Sequence, residues 1–148
     1  MTAINSMKET HGEMLDMIKD LRAMMTEDQL KIRPNAMTTH KLICELGEKM
    51  QKHMSAQDQD IYPGLLIHED PKLKSMAWGF LNAQKPMRKQ FKDYHAKWLK
   101  NCDFNFTAEF IAETFEILDM IEERIQRERN TLIPTLESSK VASRVAAG

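Results

Sequence analysis

The stretch His53-Met-Ser-Ala-Gln-Asp-Gln-Asp-Ile-Tyr-Pro-Gly-Leu65 (HMSAQDQDIYPGL) returns, altered, as Arg124-Ile-Gln-Arg-Glu-Arg-Asn-Thr-Leu-Ile-Pro-Thr-Leu136 (RIQRERNTLIPTL). Both copies follow one frame. A polar residue is answered four positions on by Gln or Glu; an aliphatic residue, an aromatic or aliphatic one, Pro, any residue and Leu then follow. Proline removes a backbone donor and disfavours helical geometry in the residue before it, so each copy predicts a helix end. The exchanged residues are the chemically strongest ones: His53 against Arg124, and Gln57 against Glu128.

Working outward from the frame, apolar residues recur at steps of three and four. Ile4, Met7, His11, Met14, Ile18, Leu21 and Met25 form one face of a first helix. "TEDQLKIRPNAMT" reads as a loop. Leu42, Leu46, Met50, His53 and Gln57 mark the buried face of a second helix that closes before Pro63-Gly64. Asp70-Pro71 opens a third, with Leu73, Ala77, Phe80, Gln84, Met87, Phe91, Tyr94 and Trp98 on its stripe; Pro86 should kink or split it. After the turn "NCDFN", a fourth helix carries Phe110, Thr114, Ile117, Ile121, Arg124 and Glu128, and Pro134 should end it. Short connections make neighbours antiparallel, which predicts an all-α, up-down-up-down four-helix bundle over residues 1–137 and a flexible C-terminal tail over 138–148.

In that bundle His11, His53, Gln57, Arg124 and Glu128 share one level, at one end, on core-facing stripes. Each polar side chain placed in a core costs free energy unless it finds a partner. The five therefore predict a polar layer, with Arg124 and Glu128 paired one turn apart. The plain alternative is hydrogen-bonded core histidines and a surface ion pair.

These residues and spacings resemble the hemerythrin-like, or HHE cation-binding, family. The resemblance implies a four-helix bundle around a non-haem di-iron centre, with ligands from all four helices. A first-helix His is expected, then His-x-x-x-Glu before a Pro in the second helix, a His in the third, and another His-x-x-x-[Glu/Asp] in the fourth. His11, His53 and Glu128 match ligand places. Gln57 stands where a bridging Glu is expected, Arg124 replaces a His, and "LKSMAWGF" of the third helix contains no His. His95 lies about 15 residues further on, roughly 20 Å at the helical rise. His68 sits in the preceding turn and reaches inward only if that turn folds back. Since Arg keeps its proton, it repels a metal and can pair with Glu128 in its place. The resemblance thus implies that the metal layer has become a salt-bridge network with no cofactor. The alternative is non-haem iron held by His11, His53 and Glu128.

A second constellation, His40, Cys44, His95 and Cys102, has the residue types of a zinc site near the other end of the bundle. Its alternative is two small thiols and two solvated imidazoles.

Composition bounds the function classes. The 148 residues carry 21 basic and 22 acidic side chains, so the chain is no nucleic-acid polycation. No apolar run approaches the about 18 residues of a membrane span. Two Cys and a start without a basic, apolar leader fit a reducing cytoplasm. No nucleophile–base pattern, glycine-rich phosphate loop or facing pair of catalytic carboxylates points to an enzyme. Small members of the resembled family imply a bacterial regulatory or interaction protein in signalling or stress responses, with a regulatory protein partner. Self-association stays open, with the 12 methionines offering an adaptable surface. The alternative function is an oxygen or nitric oxide sensor, or an iron-handling protein.

Overall fold

A computed structural model describes residues 2–139, and its regular secondary structure there is helical throughout. Four long helices build it: α1 (Ala3–Met24), α3 (Arg33–Asp60), α5 (Pro71–Tyr94) and α6 (Ala108–Arg127). Short helices α2 (Glu27–Leu30), α4 (Tyr62–Leu66) and α7 (Ile133–Ser139) and two π-helical segments, His95–Leu99 and Glu128–Leu132, complete the set. Helix starts follow local chemistry. The hydroxyls of Thr2, Thr26 and Thr107 accept from Asn5, Gln29 and Phe110 backbone N–H groups, and Asp70 caps α5 through Lys72 N–H. Pro34 and Pro71 sit in first turns, where the missing donor costs nothing.

Side-chain pairings fix the packing. His11 meets Glu128 while Arg22, farther along α1, meets Asp119 and Glu122, earlier on α6. Phe80 of α5 meets Arg124, and Tyr94 meets Thr114. Gly47 lets α3 approach α5, because a β-carbon there would drive into the Phe91 ring.

Three elements differ from the expectation drawn from the sequence. The expected loop over 26–38 is mostly helix: Thr26 caps α2, and α3 begins at Arg33. Pro86 does not split α5, which stays helical through it; Pro86 and Asn82 are exposed, so the carbonyl that loses its donor faces water. Pro134 does not end the fourth helix. A π-helical turn, Glu128–Leu132, shifts the hydrogen-bond register, with Ile133 N–H reaching Glu128 O, and Pro134 falls in the first turn of α7. α7 runs to Ser139, and residues 140–148, most of the expected tail, lie outside the described residues.

The core has two parts. The larger cluster includes Met14, Ile18, Leu46, Met50, Phe110, Ile117, Ile121 and Ile125. The smaller holds Ile4, Met7, Ile61, Tyr62, Leu65, Leu73, Phe80, Leu132, Ile133 and Leu136. Along α1, His11 falls between Met7 of the second and Met14 of the first. The same order holds for His53 and Gln57 between Met50 and Ile61, and for Arg124 and Glu128 between Ile121 and Leu132. The polar layer is therefore roofed by apolar side chains. The latter halves of the two frame copies supply much of that roof.

Candidate metal centre and polar layer

All five layer residues are brought together, and all are buried. Glu128 stands at the centre. Its Oε1 lies 2.7 Å from His11 Nε2 and 2.7 Å from His53 Nε2, and its Oε2 accepts from Arg124 Nε at 2.7 Å. Burial alone would favour a neutral Glu128. The hydrogen bonds from both histidines and the charges of His53 and Arg124 outweigh it and hold the carboxyl well below the usual carboxylate range.

Arg124 spreads its donors over four groups. Besides Glu128, it donates from Nη1 to the Phe80 carbonyl at 2.9 Å and from Nη2 to Tyr62 Oη at 2.7 Å, with Gln57 Oε1 at 3.4 Å. Its guanidinium also lies 4.8 Å from the Phe80 ring centroid. Tyr62 donates to Gln57 Oε1 at 3.2 Å, and its burial pushes the phenol well above its ordinary value. Tyr62 and the Phe80 carbonyl were not foreseen. Tyr62 fills the aromatic place of the repeated frame, which was the signal available; a backbone acceptor leaves none.

The donor set can be tested against the dinuclear centre that the resemblance implies. His11 Nε2, His53 Nε2 and Glu128 Oε1 lie within 4.8 Å of one another and are, among the described residues, the only cluster of three ligand atoms. Three features oppose two cations. Arg124 places a permanent cation on Glu128, a ligand to be shared. Gln57 Oε1 is engaged by Tyr62 and Arg124, which leaves its amide nitrogen, 3.1 Å from His53 Nε2, turned toward the cluster. Buried His11 Nδ1 has no hydrogen-bond partner. A histidine bound to metal through Nε2 carries its proton on Nδ1 and normally donates it. In His11 that proton would have no acceptor, whereas a proton on Nε2 donates to Glu128. The residues do not fit a di-iron centre. What remains is the single cluster of two imidazoles and one carboxylate.

The other candidate residues lie elsewhere. His68 stays in its turn, where its Nδ1 accepts from Asp70 N–H at 3.0 Å. The second constellation does not assemble as a ligand cluster. His40 Nε2 is bonded to the Leu99 carbonyl at 3.0 Å, Cys102 Sγ accepts from Phe104 N–H, and His95 is exposed. Cys44 and Cys102 are free thiols, and burial raises the Cys44 pKa.

No helix among the described residues is long and apolar enough to cross a membrane. No curated protein and no solved structure matches the chain. A family model described as hemerythrin HHE cation-binding domain matches residues 2–136. With the roofed helical bundle and the His11–His53–Glu128 cluster at its heart, the chain belongs to the hemerythrin HHE cation-binding domain family.

Proposed function

We propose that this chain is a non-enzymatic, cytoplasmic regulatory or interaction protein in which an internal guanidinium has replaced the di-iron centre. The observation that carries the proposal is Arg124, buried and held at once by Glu128, Tyr62, Gln57 and the Phe80 carbonyl. A side chain with that many partners is a built element of the layer. The layer then positions helices instead of activating a small molecule, and function passes to the surface. Ile67 and Trp78, 84% and 55% exposed, are large apolar side chains available to a protein partner. A role in signalling or stress response accords with this reading.

One observation favours a second reading. The three converging ligand atoms of His11, His53 and Glu128 offer two imidazoles and a carboxylate to a single divalent cation. Such a site would make the chain a metal-binding sensor or iron-handling protein.

Metal analysis with an optical spectrum, on protein made in iron-rich medium, separates the readings. The first expects well under one equivalent of iron and no near-ultraviolet charge-transfer bands. One tightly held metal per chain supports the second. Two irons per chain overturn the first and show that Arg124 leaves the layer.

A further inference from the structure

A groove of about 550 Å³ opens between α5 and α6, separate from the convergence of the two histidines. Its floor is Met76, Phe80, Ala83 and Met87 from α5, with Met120 from α6. Arg124 closes its inner wall, and Glu123 and Arg127 stand on its rim. We propose that this groove binds a small amphipathic carboxylate, with its apolar body on the methionine floor and its carboxylate on Arg127.

Size and lining set the class of ligand. Small-molecule sites commonly occupy roughly 300–1,000 Å³, mostly apolar with a few placed polar groups. Three methionines and a phenylalanine give a soft, polarisable surface that adapts to a flexible chain or a flat ring.

Gly79 provides an independent observation. Glycine inside a helix lowers stability relative to alanine, so it needs a reason. Gly47 has one in the Phe91 ring. A β-carbon at Gly79, by contrast, would meet nothing within 4 Å, so no close helix approach requires it. Gly79 lines the groove, and its missing side chain leaves the wall open.

The rim sets the head group. Arg124 is committed to the layer. Arg127 donates to Glu123 at 2.8 Å in a pair whose side chains are 67% and 65% exposed. Exposed i,i+4 pairs are weak, so a ligand carboxylate can displace Glu123 at little cost. Guanidinium takes a carboxylate through two parallel N–H donors, a geometry that an alcohol or ester cannot fill equally. An occupant would also touch Phe80, whose ring and carbonyl hold Arg124, so occupancy bears on the layer from outside.

The test is calorimetric titration of the full chain with decanoate and naphthoate below their aggregation limits, with decanol as the uncharged control. Saturable binding of one carboxylate per chain is expected. Arg127→Gln should weaken it about tenfold, the scale of a lost charge-assisted hydrogen bond. Glu123→Gln frees Arg127 and should tighten it. Gly79→Leu should fill the groove and abolish binding while circular dichroism and melting temperature hold. Any of three results overturns the proposal. They are no saturable binding of either carboxylate, decanol binding as tightly as decanoate, or undiminished binding in a folded Gly79→Leu variant.

Discussion

At the scale of single residues, Arg124 shows how far a sequence can be read. Its position on an apolar stripe, one turn from Glu128, was enough to expect burial and a charge pair, because water is not available there to satisfy either group. Two of its other acceptors were missed. The Phe80 carbonyl has no sequence signature, and Tyr62 belongs to the roof that the prolines concealed. Removing one side of a buried pair typically costs about 3–5 kcal/mol, against about 0–1 for an exposed one. Arg124→Ala should fall in the upper range by urea denaturation, with Arg127→Ala near zero as the surface control. Equal small effects would show that the guanidinium is not a structural cation. Glu128 makes a second prediction. Its folded pKa is depressed, so its contribution is present above the unfolded carboxylate value, about 4.3, and is lost as pH falls toward the folded one. Between pH of about 5 and 2, the parent should therefore lose stability more steeply than Glu128→Gln. Parallel pH profiles would mean that the histidine and arginine bonds to Glu128 do not form in solution.

Helix faces were legible at the scale of elements because periodicity is a property of the whole segment, whereas helix ends depend on one or two backbone groups. Proline was read as a stop at residues 63 and 134. The first stop holds, since α3 ends at Asp60 and Pro63 sits in the first turn of the separate α4, whereas Pro134 falls in the first turn of α7 and the chain stays helical. The π turn explains the second case: register shifts by one residue just where a donor is missing, and the chain carries on. The repeated frame thus encodes a polar pair followed by an apolar cap. Leu65 and Leu136 end the two copies and are fully buried in the roof cluster. Leu136→Ala should then cost about 2–5 kcal/mol, as a buried leucine does. Hydrogen exchange supplies the sharper readout, since protection should fall across residues 128–136 before it falls across α6. Uniform loss would show that roof and main cluster unfold as one unit. The His40, Cys44, His95 and Cys102 set fails for a related reason. Spacing along two helices says nothing of where their rings and thiols turn, and His40 turns to the Leu99 carbonyl.

For the whole molecule, the layer joins metal chemistry to stability. A dinuclear centre ties four helices through cations; here one guanidinium ties α6 to α3, α4 and α5, through Gln57, Tyr62 and the Phe80 carbonyl respectively, while Glu128 collects His11 of α1. If that exchange is the design, it should run backwards. Arg124→His with Gln57→Glu restores two His-x-x-x-Glu frames, removes the fixed cation and adds a carboxylate beside His53. The metal-free double variant should be less stable than the parent, because Tyr62 and the Phe80 carbonyl lose their donor and two carboxylates now face each other in a dry layer. Added Fe²⁺ or Zn²⁺ should then raise its melting temperature in a concentration-dependent way, by mass action on the folded state. The parent, whose cation is built in, should respond little. Each single variant separates the causes: Gln57→Glu alone keeps Arg124 and should gain little metal affinity, whereas Arg124→His alone should gain some. Equal metal responses in parent and double variant would show that residues 57 and 124 do not govern cation binding, and the replacement of metal by guanidinium would have to be abandoned.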